Sequence, residues 1–267
     1  MKVCLTTTDS TASRYIAEML LEHKYCTTIL VDTFEDRRNR PQSLSRKIRK
    51  HYMRGGLLDL FLLLKSYFGI GVETGSTIEN FFGPVPSWSE LKERHDVDIK
   101  FVSNINNATS DKAIKAAAPD LGILYGGRII EPAILAIPRL GFINKHSSLL
   151  PKQRGPQAEF WTLYKEELES LGVTIHEVTP GLDAGAILLQ ENILFEDGDT
   201  PQSLREKSHI LGGDLLIKTI RLLESGNVNK IIQDEAAVSV NGMPSLSQLA
   251  ALKKRLPGLW EKTREDK

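Results

Sequence analysis

Short β-rich runs that alternate with helix-length amphipathic stretches restrict this chain to few folds. Residues 2–6 and 27–31 are apolar runs of strand length, and between them residues 10–22 carry Ile16, Met19 and Leu20 on one helical face. The alternation resumes with strand-like runs at 99–102, 121–125 and 142–146. Between these lie a helix over 111–118, with its cap expected at Thr109 or Ser110, and a short helix over 131–136. Repeated strand-helix-strand units imply parallel strands, because a parallel pair needs a crossover long enough to return along the sheet. The expected class is α/β with an open, mostly parallel sheet, whose ligand crevice lies outside the carboxyl ends of its strands. Downstream, 156–169 reads as an amphipathic helix, 173–178 and 187–195 as two strands, and 200–223 as a long helix with Pro201 in its first turn. The remainder holds one strand pair, a charged helix over 246–255 and a polar tail. The expected organisation is a main domain over 1–225 and a short C-terminal extension over 226–267.

An insertion at about 37–95 breaks the alternation. Arg37 to Arg54 contains eight basic residues and no acidic one, and an amphipathic stretch, Leu57 to Phe68, follows Gly55-Gly56. Gly69 to Pro86 reads as a long loop, and 88–94 as a short helix. Two readings stay open: a solvated helical pair packed through its leucines, or a basic face for substrate phosphates or a membrane surface. Over the whole chain 34 Lys and Arg balance 34 Asp and Glu. No long-range field draws nucleic acid, so none is expected as a partner. Leu57–Phe68 falls short of the roughly 20 apolar residues that span a bilayer, and it contains Asp59 and Lys65, so no stable membrane insertion is expected. The chain enters its first strand with no charged leader or apolar signal core, and Cys4 and Cys26 lack metal-ligand spacing. The expectation is a cytoplasmic protein with buried, reduced thiols and no metal.

Two segments carry the chemistry. In Gly141-Phe142-Ile143-Asn144-Lys145-His146-Ser147-Ser148-Leu149-Leu150-Pro151, strand periodicity puts Asn144 and His146 on one face and Lys145 on the other. An amide donor and an imidazole at the carboxyl end of a parallel strand would line the crevice. In Val173-Thr174-Ile175-His176-Glu177-Val178-Thr179-Pro180-Gly181-Leu182-Asp183-Ala184-Gly185, a carboxylate sits in a glycine-flanked loop where backbone can approach a planar ligand. His176, on the strand before that loop, reads as a structural histidine.

Both segments resemble the folate-dependent formyltransferases, the family of glycinamide ribonucleotide, methionyl-tRNA and sugar-nucleotide formyltransferases. The resemblance consists of an Asn-x-His strand leading into Ser-Leu-Leu-Pro, then Arg154-Gly155, a Gly-Val-Thr strand and a Leu-Asp-x-Gly loop, and it runs from about Pro119 to Gly213. It implies the Rossmann-like formyltransferase fold and a catalytic domain over 1–225. It implies transfer of a formyl group from 10-formyltetrahydrofolate, as co-substrate, to a primary amine, with Asn144, His146 and Asp183 catalytic. Asn144 and a protonated His146 are suitable donors to a tetrahedral oxyanion, or His146 takes the amine proton, and Asp183 supports the imidazole in either case. Arg128 and Ile130 are the carried-over folate contacts, and the turn Thr179, Pro180, Gly181, Leu182 is expected to wrap the pterin.

The acceptor is read from departures. Thr6-Thr7-Thr8-Asp9-Ser10-Thr11 replaces the glycine-rich phosphate loop of glycinamide ribonucleotide enzymes. About forty residues follow the main domain, where enzymes acting on methionyl-tRNA carry a larger basic one. The first 110 residues leave no room for the regulatory domain of formyltetrahydrofolate hydrolases. The expected acceptor is therefore a small amine, an amino sugar on a nucleotide, with the basic insertion facing its diphosphate. A non-catalytic folate-binding module is the alternative outside catalysis, and a homodimer is compatible with these features.

Overall fold

The computed structural model describes residues 1–38, 49–50, 52–59, 61 and 82–265. Seven strands, β1 (Val3–Thr8), β2 (Cys26–Asp32), β3 (Asp98–Val102), β4 (Leu121–Tyr125), β5 (Phe142–His146), β6 (Gly172–Glu177) and β7 (Ile187–Asn192), form one sheet. Their order is β3-β2-β1-β4-β5-β6-β7. The first five strands are parallel, β6 runs antiparallel to β5, and β7 antiparallel to β6. The fold is thus the expected α/β class, mostly parallel and open. The chain builds outward from β1 to β3 and then returns past β1 to start β4. Connections leave in opposite directions there, which opens a crevice at the carboxyl ends.

Strand alternation divides the core. Leu5, Ile29, Ile123, Ile143 and Val173 point to one face, against Ile16 and Leu20 of the helix Thr11–Glu22 and Leu216 and Ile220 of the helix Pro201–Ser225. Cys4, Leu30 and Phe142 point to the other, against Ile114 and Ile134. A Cβ at Gly122 would collide with the Phe142 ring, so the missing side chain lets that ring lie across β4. Cys4 and Cys26 are buried free thiols, and burial pushes Cys26 up to about 12.

Several element ends differ from the sequence reading for local reasons. The third-strand helix begins at Ala108 because Asn107, rather than Thr109 or Ser110, caps it by accepting the Ser110 N–H at 2.8 Å. The helix expected over 156–169 is Ala158–Lys165; it stops where Glu166 takes φ +60°, and a tighter turn, Leu168–Ser170, leads into β6. The last helix, Leu246–Glu265, continues past Arg255 and through Pro257, whose missing N–H removes one backbone bond. Burial offsets that loss: Leu252, Leu256 and Leu259 form a stripe against Phe160, Leu163 and Leu204.

Within the basic insertion, 52–59 is helical, while 39–48 and 62–81, with Arg46 and most of the amphipathic stretch, lie outside the described residues. Arg49 and Arg54 are exposed. Asp59 is buried, and its carboxylate accepts the N–H groups of Leu246 at 3.0 Å and Ser247 at 2.9 Å and the Ser247 hydroxyl at 2.8 Å. A carboxylate from the insertion therefore caps the C-terminal helix, meeting both its free donors and the positive end of its dipole. Asp59→Ala is expected to cost about 2 kcal/mol, the upper range for a lost cap. An unchanged urea midpoint would remove Asp59 from this role.

Candidate active site

The carboxyl end of β5 presents Asn144 and His146 to the crevice and Lys145 to the opposite face. Lys145 is buried there, its Nζ donating to Ser147 Oγ at 2.6 Å and to Ser208 Oγ at 2.7 Å, and burial lowers its ammonium to about 8. The antiparallel register sets Asn144 opposite His176 and His146 opposite Thr174. Opposite residues share a face, so His176 belongs to the site. Asn144 Nδ2 lies 3.1 Å from His176 Nε2, and His176 Nδ1 lies 2.8 Å from the Glu177 carbonyl. The carbonyl only accepts, so Nδ1 carries the proton and Nε2 takes the Asn144 N–H. His176 thereby fixes which way the Asn144 amide faces.

Burial first, and then the neighbouring His146, pull His176 down to about 4 from 6.5. A depressed histidine contributes stability that is fully present above about pH 6.5 and lost as the pH falls toward about 4, because the unfolded chain takes up the proton first. His209 is also depressed, to about 2, by burial and then by Lys145 and Arg205, so it adds its own slope to the wild type. Comparison with His176→Gln cancels that contribution. The expected result is a urea midpoint that falls less between pH 7 and pH 4.5 in His176→Gln than in the wild type; identical slopes would contradict a neutral, Asn144-bound imidazole.

Asp183 enters from the loop after β6. Its backbone is left-handed, with φ +48°, and its Oδ2 accepts the Gly155 N–H at 2.9 Å. The carboxylate lies between two imidazoles, with Oδ2 3.6 Å from His146 Nδ1 and Oδ1 3.8 Å from His176 Nε2. These separations exceed a direct hydrogen bond and leave the carboxylate beside both rings. His146 Nε2 donates to the Gln153 carbonyl at 2.6 Å, and Ser148 Oγ donates to the same oxygen at 2.9 Å. The Ser148–Pro151 loop is thus tied to the strand that carries His146.

All nine candidate residues line one cleft of about 430 Å³: Asn144, His146, Asp183, Arg128, Ile130 and the turn Thr179, Pro180, Gly181, Leu182. Leu124, Ile130 and Val178 supply apolar wall. The Arg128 guanidinium is already committed. It donates to Asp32 at 2.6 and 3.0 Å, to Asp36 at 2.8 and 2.9 Å and to the Ser103 carbonyl at 3.2 Å, and it lies over the Phe34 ring at 4.5 Å. Asp36 and then Asp32 raise it above the ordinary arginine range against the effect of burial. This leaves its backbone, rather than its charge, to meet a ligand. A second cleft, of about 550 Å³, shares Gly127, Arg128 and Ile129 and adds Asp36, Asn104, Asn106 and Glu131.

Sequence reasoning read His176 as structural and missed its contact with Asn144. The only sequence signal for it is the even spacing that puts Thr174 and His176 on one face of β6; the register that brings that face to Asn144 is a property of the sheet. Among the described residues no cluster of three or more His, Cys, Asp or Glu could hold a metal ion. Among them, too, no helix is long and apolar enough to cross a membrane.

A family model described as formyl transferase matches residues 91–220. A methionyl-tRNA formyltransferase of Anaeromyxobacter dehalogenans is 35% identical over 156 residues, covering 58% of this chain and 50% of the relative. This chain spans about half the length of the curated relatives it matches. Among solved structures, an N-formyltransferase from Helicobacter canadensis, in complex with folinic acid and dTDP-3-aminofucose, aligns with TM-score 0.58 and 15% identity over 91% of this chain and 71% of its own. Glycinamide ribonucleotide transformylase 1 from Symbiobacterium toebii aligns with TM-score 0.56 and 19% identity over 88% of this chain and 95% of its own. At these identities the structural likeness speaks for the fold.

Proposed function

We propose, from the formyl transferase family model that matches residues 91–220, that this chain belongs to that family and that the protein moves the formyl group of 10-formyltetrahydrofolate to a primary amine. The observation that carries this reading is the convergence of Asn144, His146 and Asp183 in the cleft walled by the 179–182 turn. The cleft fits the donor in kind: a backbone turn and the apolar Leu124, Ile130 and Val178 suit a flat heterocycle.

In the proposed reaction the amine nitrogen attacks the formyl carbon, and the carbonyl electrons move onto oxygen. The Asn144 amide and the Nε2–H of His146, which here serves the Gln153 carbonyl, are the donors for that oxyanion. Asp183 stabilises the imidazolium on its Nδ1 side. Collapse breaks the bond from carbon to N10, the proton lost by the amine passes to N10, and the products are a formamide and tetrahydrofolate.

For the acceptor we propose an amino sugar carried on a nucleotide. Its support is the concentration of eight cations without an acid between Arg37 and Arg54, which would match a diphosphate. A second reading, methionyl-tRNA, is favoured by the 35% identity of the curated relative over 156 residues. The test incubates the protein and 10-formyltetrahydrofolate with a dTDP-amino sugar, glycinamide ribonucleotide, methionyl-tRNA or buffer alone, following folate absorbance and the mass of the acceptor. Turnover and formamide mass are expected with the amino sugar. Turnover with methionyl-tRNA alone would reverse the choice, turnover in buffer alone would mark a hydrolase, and folate binding without any turnover would mark a binding module.

A further inference from the structure

The segment 231–241, beyond the stretch that matches the family model, crosses the two loops that build the catalytic centre. Ile231 bridges Ile187, and three backbone bonds join Ser239 to Lys152 and Arg154, and Asn241 to Arg154, at 3.1, 2.8 and 3.0 Å. Gly155 has φ +95°, and a Cβ there would collide with the Asn241 carbonyl, so the strap lies directly on the residue whose N–H holds Asp183. At the centre of the strap Gln233 is buried with its whole amide engaged. Its Nε2 donates to the carbonyls of Asp183 at 2.8 Å and Gly185 at 2.7 Å, and its Oε1 accepts from Arg154 Nη2 at 2.8 Å and Nε at 3.2 Å. Arg154 is in turn held by Glu235 at 2.8 and 3.2 Å.

These bonds close a circuit from the Asp183 backbone through Gln233 and Arg154 to the Gly155 N–H and back to the Asp183 carboxylate. Asp183 needs such restraint, since a left-handed backbone costs a non-glycine residue free energy and persists only where its surroundings over-determine it. We propose that Gln233 is a positioning residue, which fixes Asp183 against His146 and makes the strap part of the catalytic centre. The proposal rests on the formyl-transfer reading for its kinetic consequence, while its geometric content stands apart from that reading. Only a glutamine offers two donors to the carbonyls and an acceptor to Arg154 from this distance. Glutamate would keep the Arg154 contact and turn an oxygen toward the carbonyls, so Gln233→Glu separates anchoring of the strap from positioning of Asp183.

The experiment compares wild type, Gln233→Glu and Gln233→Asn, each alone and with Asp183→Asn, for kcat, both KM values, urea midpoint and the imidazole 15N signals of His146 and His176. Gln233→Glu is expected to lower kcat roughly ten- to a hundred-fold, as a catalytic group displaced by about 1 Å would. Both KM values should stay within about three-fold and the His146 signals should move. With Asp183→Asn already present, the further loss should be under about two-fold, because the two residues act as a unit. An equal loss in both backgrounds, or unmoved imidazole signals, would overturn the proposal, and Gln233→Asn supplies the same comparison if Gln233→Glu folds poorly. If the wild type transfers no formyl group the functional reading fails, and the imidazole signals still decide whether Gln233 holds Asp183.

Discussion

Replacing Asp183 with Asn is expected to lower formyl transfer by about a hundred-fold or more, and His146→Asn by a comparable factor, with urea midpoints close to wild type. Losses of this size follow from removing a general acid-base or oxyanion contribution. Asp183→Asn is nearly isosteric and retains an oxygen for the Gly155 N–H, so the loop keeps its anchor. What disappears is the charge 3.6 Å from His146 Nδ1. If the two side chains act as one unit in the proposed reaction, the double variant should be little slower than the worse single one. Steady-state rates with saturating donor, read beside urea unfolding, provide the check. Near-normal transfer by both variants would remove the triad assignment while leaving the fold untouched.

Arg128→Met is expected to destabilise the protein by about 3 kcal/mol, the low end of what a broken buried ion pair costs, since this pair borders an open cleft. Asp32 and Arg128 are both buried, and the variant would leave the Asp32 carboxylate, among the described residues, the N–H groups of Phe34 at 2.9 Å and Ile105 at 3.2 Å. A carboxylate taken from water without its cation is the source of the cost. Urea unfolding measures it, and a midpoint within experimental scatter of the wild type would show that the pair holds nothing together. Folate affinity, measured where the variant is still folded, should change much less than if Arg128 met the ligand through its charge.

The parallel half of the sheet was legible because strands buried on both faces must be apolar throughout, as in Val3-Cys4-Leu5 and Ile29-Leu30-Val31. Asn144 and His146 could be paired for the same reason, since strand alternation is local. The extent of the helix after Pro156 was not legible, because the left-handed residue that ends it is Glu166 rather than a glycine. The contact of His176 with Asn144 was not legible because the two are 32 residues apart and the register between them belongs to the sheet. Gln233 was hidden for a like reason, its partners being 48 and 79 residues distant. The last helix was read short at Arg255, since Pro257 is a strong local stop signal and the packing that overrides it comes from Phe160 and Leu204.

Asp59 and the start of the last helix are 187 residues apart in the chain, yet they share one set of hydrogen bonds. The two stretches are therefore not free to be exchanged one at a time. A chimera that imports a different insertion but keeps the residues from Ser245 onward would leave the helix without its distant carboxylate. The reciprocal graft would take from the buried carboxylate the donors it meets at Leu246 and Ser247. A graft between such chains therefore has a junction constraint that neither segment reveals alone: the segment carrying Asp59 and the helix it caps need to be exchanged together.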